Sequence, residues 1–217
     1  MKRFLSLAGI ALALVLTGCD EPIPPGRGVY MLMDTSGTYT GELKQAQQII
    51  NAILARLDPG DSFAVARIDT GSFSEKDIVA KITFDDRPSM ANQQKRKFRQ
   101  LIDDFVRKVK PAAFTDVTGG VLQAIEYLNE KNPGRKTILI FSDLKEELKK
   151  GYKRKSIPLQ VDRFSVVALN VTKLRSDNID PREYMDRLEY WQTRIEEGGG
   201  RWRVINDMDR LERVLGE

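Results

Sequence analysis

The chain has 217 residues, no histidine and a single cysteine. That composition excludes Ser-His-Asp and Cys-His catalysis, every imidazole metal site and any intramolecular disulfide. At 41% apolar content it can build the core of one medium α/β domain rather than a disordered tail, and a formal charge of +4 is too small to mark it as a strongly basic, nucleic-acid-binding protein.

Residues 1–18 differ in kind from the rest. Lys2 and Arg3 precede an apolar run from Phe4 to Leu16, followed by Leu16-Thr17-Gly18-Cys19. The run is shorter than the ~20 residues that span a bilayer, so it reads as a cleaved export signal. Leu16-Thr-Gly-Cys19 resembles the bacterial lipoprotein signal, in which the cysteine is lipidated and becomes the mature N-terminus; the competing reading is an ordinary secretory peptide cut elsewhere. Lipidation at Cys19, with palmitate among the expected acyl chains, would anchor the protein stably, because several chains hold where one does not. Asp20 resembles a signal for retention at the inner membrane. The expected location is therefore exported and lipid-anchored to a bacterial cell membrane, facing the periplasm where the envelope is double. Loss of Lys2 and Arg3 with the leader lowers the formal charge from +4 to +2. Residues 19–27 form a short tether, whose link from Asp20 to Arg27, with Pro22, Pro24 and Pro25, reaches only about 25 Å at ~3.1 Å per residue.

From residue 28 to 217 a single domain is expected, since no internal repeat or second core is visible. Short β-branched runs alternate with longer stretches of helical period, which predicts a doubly wound, mostly parallel α/β sheet flanked by helices. Residues 29–34 read as the first strand. Leu43, Ala46, Ile49, Ile50, Ile53, Leu54 and Leu57 then mark one face of a helix, which Asp58-Pro-Gly-Asp61 stops. Ser62 to Ile68 and Asp77 to Phe84 read as strands too close together for a crossover helix, so the second is expected as an antiparallel edge strand. Phe98, Leu101, Ile102, Phe105, Val106 and Val109 mark a helix ended by Pro111, and Val117 to Leu128 carries the next. Thr137 to Phe141 and Phe164 to Leu169 are continuous apolar runs, as expected of central strands buried on both faces. Asp180, Pro181 and Glu183 supply an N-cap, first-turn proline and capping-box glutamate for a helix to about Glu196. Trp202 to Ile205 adds a strand, and a short helix from Asp207 closes the chain.

The first strand ends in Asp34-Thr35-Ser36-Gly37-Thr38, a carboxylate and two hydroxyls at alternate positions. These are hard oxygen donors suited to a magnesium-like ion. Thr115 opens a helix and Asp143 closes a strand, so both fall at strand-to-helix connections where open α/β sheets bind ligands. Two aspartates and three hydroxyls match the demand of an ion that takes few carboxylates and keeps several waters. Helix capping is the plainer use of Ser, Thr and Asp at such places.

These residues, in this order, resemble the von Willebrand factor A domain with its metal-ion-dependent adhesion site. The family's Asp-x-Ser-x-Ser is matched by Asp34-Thr-Ser36-Gly-Thr38, its threonine loop by Phe114-Thr115-Asp116, and its Thr-Asp-Gly by Ser142-Asp143-Leu144. Two glycines of the family pattern are absent, and side chains at Leu144 and Phe114 are expected to narrow or reshape the approach. The resemblance implies that Ser36, Thr38 and Thr115 contact Mg2+, or Mn2+ or Ca2+ in its place, while Asp34 and Asp143 act directly or through water. It further implies a non-enzymatic module whose open coordination position accepts an Asp or Glu carboxylate from a partner protein. A metal-free interaction scaffold of the same fold is the alternative.

An aspartate-based hydrolase is the third reading, because Asp69-Thr-Gly-Ser72 matches a short aspartic-protease signature. Against it, those proteases are rich in β-structure, and a turn between strands needs Gly71 and Ser72 anyway. Phosphoryl transfer from an aspartate nucleophile needs a second aspartate where Ser36 stands, and no phosphate loop is present. Lys149-Lys-Gly-Tyr-Lys-Arg-Lys155 is the densest basic run and reads either as a solvated loop or as a flank of the site that attracts an acidic partner or anionic lipid. Trp191 and Trp202 are expected mainly in the core.

Overall fold

The computed structural model describes residues 26–37, 39–69, 71 and 73–206. The export signal, Cys19 and most of the tether, Thr38, Thr70, Ser72 and the helix expected from Asp207 lie outside the described residues.

Six strands form one sheet: β1 (Arg27–Asp34), β2 (Ser62–Ile68), β3 (Ile78–Thr83), β4 (Arg135–Phe141), β5 (Phe164–Leu169) and β6 (Arg201–Ile205), in the order β3-β2-β1-β4-β5-β6. All neighbours are parallel except β3, an antiparallel edge strand on β2. Four helices cover it: α1 (Leu43–Arg56), α2 (Pro88–Lys108), α3 (Val117–Lys131) and α4 (Arg182–Glu197). The expected doubly wound fold is therefore present.

The two-residue pleat sends alternate side chains of β1 to opposite faces. Val29, Met31 and Met33 join the apolar layer under α1 and α2, whereas Tyr30 and Leu32 join the layer under α3 and α4. Because both faces are covered, β1, β4 and β5 are apolar without alternation. Gly120 lets α3 sit against β1, since a Cβ there would lie 2.9 Å from a Leu32 methyl. Trp191, on α4, is fully buried.

One local expectation fails. The 180–183 segment makes no capping box: Pro181 is the N-cap of α4 with no side-chain bond, and the Asp180 carboxylate instead holds the Arg182 guanidinium at 2.7 Å. The same carboxylate also accepts the Arg182 N–H at 3.1 Å, so it holds the fork and the first backbone N–H of α4 together. The helix marked by Phe98 begins earlier, at Pro88, because proline suits the first turn of a helix.

The order of the sheet fixes where a site can form. From β1 the chain proceeds outward to β2 and β3, returns through α2 and α3, and resumes on the other side of β1 with β4. The direction of winding reverses between β1 and β4, and it is outside the carboxyl ends at such a switch point that open α/β sheets have their ligand crevice.

Candidate functional site

The crevice is lined by the end of β1. Register across β1 and β4 sets Met33 opposite Phe141, so the next residues, Asp34 and Ser142, stand side by side. The Ser142 hydroxyl donates to Asp34 Oδ2 at 2.6 Å and accepts the Leu144 N–H at 3.0 Å, while the Ser36 N–H donates to Asp34 Oδ1 at 2.8 Å. Asp34 is fully buried. Burial pushes its carboxyl up, the bonds from Ser142 and Ser36 oppose this, and the charge of Glu147 adds to the rise.

Asp143 is 4% exposed, and its Oδ1 accepts the Lys145 N–H at 2.9 Å. Burial pushes its carboxyl up to about 6, with the Lys145 N–H opposing and the neighbouring charge of Asp34 pushing the same way. The two aspartates therefore share one electrostatic neighbourhood.

Thr115 reaches the same place through two stitches of backbone. Its N–H donates to the Glu147 carbonyl at 2.8 Å and its carbonyl accepts the Glu147 N–H at 3.0 Å, tying its loop to the segment that follows Asp143. On the other side the Ala112 N–H donates to the Thr35 carbonyl at 2.7 Å, tying the loop to the segment that follows Asp34. The three loops carrying Asp34 and Ser36, Thr115, and Asp143 thus meet. Of the five predicted donors, Asp34, Ser36, Thr115 and Asp143 are brought together, and Thr38 lies outside the described residues.

No family model matches the chain. The inter-alpha-trypsin inhibitor heavy chain H1 of Mesocricetus auratus is 30% identical over 105 residues, which is 48% of this chain and 10% of that protein. Among solved structures, the von Willebrand factor type A protein of Catenulispora acidiphila superposes with a TM-score of 0.54 at 14% identity, covering 88% of this chain and 41% of that one. The pilus adhesin SpaC of Lactobacillus rhamnosus GG, in an open conformation, gives a TM-score of 0.54 at 11% identity, covering 89% of this chain and 29% of that one. The fold is that of a von Willebrand factor A domain. This chain spans less than half the length of each of these proteins.

One side chain departs from what the A-domain resemblance leads one to expect. Leu144 stands where the family pattern has glycine and does adopt φ +66°, the left-handed region that glycine tolerates best. Its side chain, however, is 1% exposed and belongs to the core layer under α3 and α4, so it does not narrow the approach. Its carbonyl accepts the Trp191 indole N–H at 3.0 Å, which helps hold the strained turn. Phe114 is half-buried.

The basic run is more than a wet loop. Arg154 pairs with Asp116 at 2.9 Å, the two side chains being 18% and 1% exposed. Asp116 is also the N-cap of α3, accepting the Gly119 N–H at 2.8 Å, so Arg154 fastens the run to the residue after Thr115.

Three participants escaped the sequence. Ser142 is visible only once register sets it beside Asp34, Glu147 once its backbone pairs with Thr115, and Tyr39 once its ring packs edge-on to Phe141 at 5.2 Å. The hydrolase pairing of Asp34 with Asp69 gains nothing, because Asp34 is bonded to Ser36 and Ser142 and Asp69 lies 3.2 Å from the Arg67 guanidinium.

Proposed function

We propose that this chain is a non-enzymatic binding module that holds a divalent cation at the crevice between β1 and β4 and docks a carboxylate of a partner protein there. The observation that carries this reading is the burial of Asp34 and Asp143, two like charges, at the ends of adjacent strands beside the hydroxyl-bearing Ser36 and Thr115 loops. Such a pair is costly without a cation, and an all-oxygen donor set fits a hard one. Two carboxylates with hydroxyls suit magnesium, with manganese or calcium able to take its place.

Asp34, Ser36, Thr38, Thr115 and Asp143 would hold the ion. The ion would supply positive charge in a pocket that is otherwise negative and so admit an incoming Asp or Glu side chain. The chain's own contribution is orientation: Ser142 and the Ser36 N–H fix Asp34, and the Lys145 N–H fixes Asp143. The N-terminal pattern adds export and lipid anchoring at Cys19, which would hold the module to a bacterial membrane with the inner membrane favoured by Asp20. A metal-free scaffold is the second reading, favoured by the two hydrogen bonds that already satisfy Asp34.

The test is capture of partners from envelope extracts by the full chain in detergent, with magnesium or with EDTA. Capture that requires magnesium and disappears in both Asp34→Ala and Asp143→Ala, with each variant folded, supports docking through the ion. Capture that is indifferent to EDTA and to both substitutions rejects the ion and supports the scaffold.

A further inference from the structure

We infer that the partner presents an acidic polypeptide stretch of several carboxylates, which two basic arms around the crevice receive. This inference rests on the docking site proposed above and adds to it the chemistry of the surroundings.

The first arm is Lys108, the last residue of α2, with Lys110; two residues later the Ala112 N–H is bonded to Thr35 next to Asp34. The second arm is Lys149, Lys150, Lys153 and Lys155. It is fastened to the crevice at both ends: Glu147 pairs with Thr115, and Arg154 holds Asp116. Between them, the Tyr152 ring lies 3.5 Å from where a Cβ on Gly71 would sit, which carries the arm across to the turn that follows β2. The six lysines are exposed.

Their charge is not cancelled locally. Of the carboxylates nearest in the chain, Asp104 pairs with Arg107, Glu147 with Lys145 and Asp116 with Arg154; Glu146 accepts the Thr118 N–H and keeps its charge, one against six. None of the six lysines forms an ion pair among the described residues. At physiological salt a charge is felt over roughly 8 Å, so six exposed cations on two sides of a small crevice attract an anion longer than one side chain.

Direction distinguishes a polypeptide from the anchoring membrane. The chain enters the domain at Gly26 and Arg27, at the start of β1, whereas the crevice is at the end of that eight-residue strand. At ~3.3 Å per residue the two poles are about 26 Å apart. Tethering through Cys19 would place the arms on the side away from the lipid, where an acidic protein can reach them.

Fluorescence anisotropy tests this with the full chain in detergent and two labelled probes, a peptide of eight glutamates and its eight-glutamine counterpart. We expect binding of the glutamate peptide alone, weakened about tenfold by Lys149→Gln/Lys150→Gln/Lys153→Gln/Lys155→Gln and less by Lys108→Gln/Lys110→Gln, with added salt weakening the wild type most. Unchanged affinity in both lysine variants overturns the inference. So does tighter, lysine-dependent binding to phosphatidylglycerol nanodiscs than to the peptide, which would assign the arms to lipid. Magnesium titration of the same proteins separates the two proposals: peptide binding through the lysines in a chain that binds no magnesium rejects the ion and keeps the arms, and magnesium binding with no effect of the lysines rejects the arms and keeps the ion.

Discussion

Replacing Asp143 with asparagine removes a charge that the fold buries, and the outcome for stability runs opposite to the outcome for ion binding. Burial moves this carboxyl from an ordinary value near 3.8 to about 6. The folded chain therefore holds the Asp143 proton more tightly than the unfolded chain. The corresponding stabilisation is complete below about pH 4, declines as pH rises toward 6, and is gone above that, leaving a difference of roughly 3 kcal/mol between acid and neutral solution. Asparagine can still accept the Lys145 N–H and carries no charge at any pH. In EDTA, Asp143→Asn should therefore be more stable than wild type at pH 7.5 by up to roughly 3 kcal/mol, or about 6 to 12 °C in melting temperature for a domain of this size. The advantage should vanish at pH 4. Thermal unfolding of the full chain between pH 4 and pH 8 reads both numbers. An asparagine variant no more stable than wild type at pH 7.5, or one that keeps the wild-type slope between pH 4 and 6, would refute the electrostatic argument. Magnesium should close most of that gap, since a ligand at a hundred times its dissociation constant stabilises the wild type by roughly 2.7 kcal/mol and the variant lacks a ligand for it.

Arg154→Ala should destabilise by roughly 3–5 kcal/mol because it leaves Asp116, 1% exposed, as an unpaired buried charge; a urea midpoint close to wild type would show that solvent replaces the guanidinium. Ser142→Ala should cost roughly 1–3 kcal/mol and push the Asp34 carboxyl further up, because the lost hydroxyl bond opposes its rise; NMR titration of Asp34 reads the shift, and an unmoved value would contradict the role given to Ser142. Leu144→Gly restores the glycine of the family pattern yet should destabilise by roughly 1–3 kcal/mol, since relief of the left-handed backbone yields about 1–2 and loss of a buried leucine costs about 2–5. A stabilised glycine variant in chemical denaturation would show that the strain outweighs the packing.

Periodicity made most of this fold readable. The runs Thr137 to Phe141 and Phe164 to Leu169 announce strands covered on both faces, and the short gap between Ile68 and Asp77 announces an antiparallel neighbour. Oxygen donors at strand ends are likewise visible in the sequence at Asp34, Thr115 and Asp143. Partners chosen by register or by long-range pairing were not readable. Ser142 sits beside Asp34 because β4 pairs with β1 in one register, Arg154 meets Asp116 across 38 residues, and Asp180 holds the Arg182 guanidinium. Leu144 shows the same limit in another form: family likeness flagged a missing glycine, but only the turn of the backbone directs that side chain inward.

The ion itself is the most direct test. Calorimetric titration of magnesium into the full chain in detergent at pH 7.5, beside Asp34→Ala with its fold verified, should give saturable binding to the wild type that the variant loses. A folded wild-type chain that takes up neither magnesium nor manganese, with or without a carboxylate peptide present, would contradict a metal-dependent docking site.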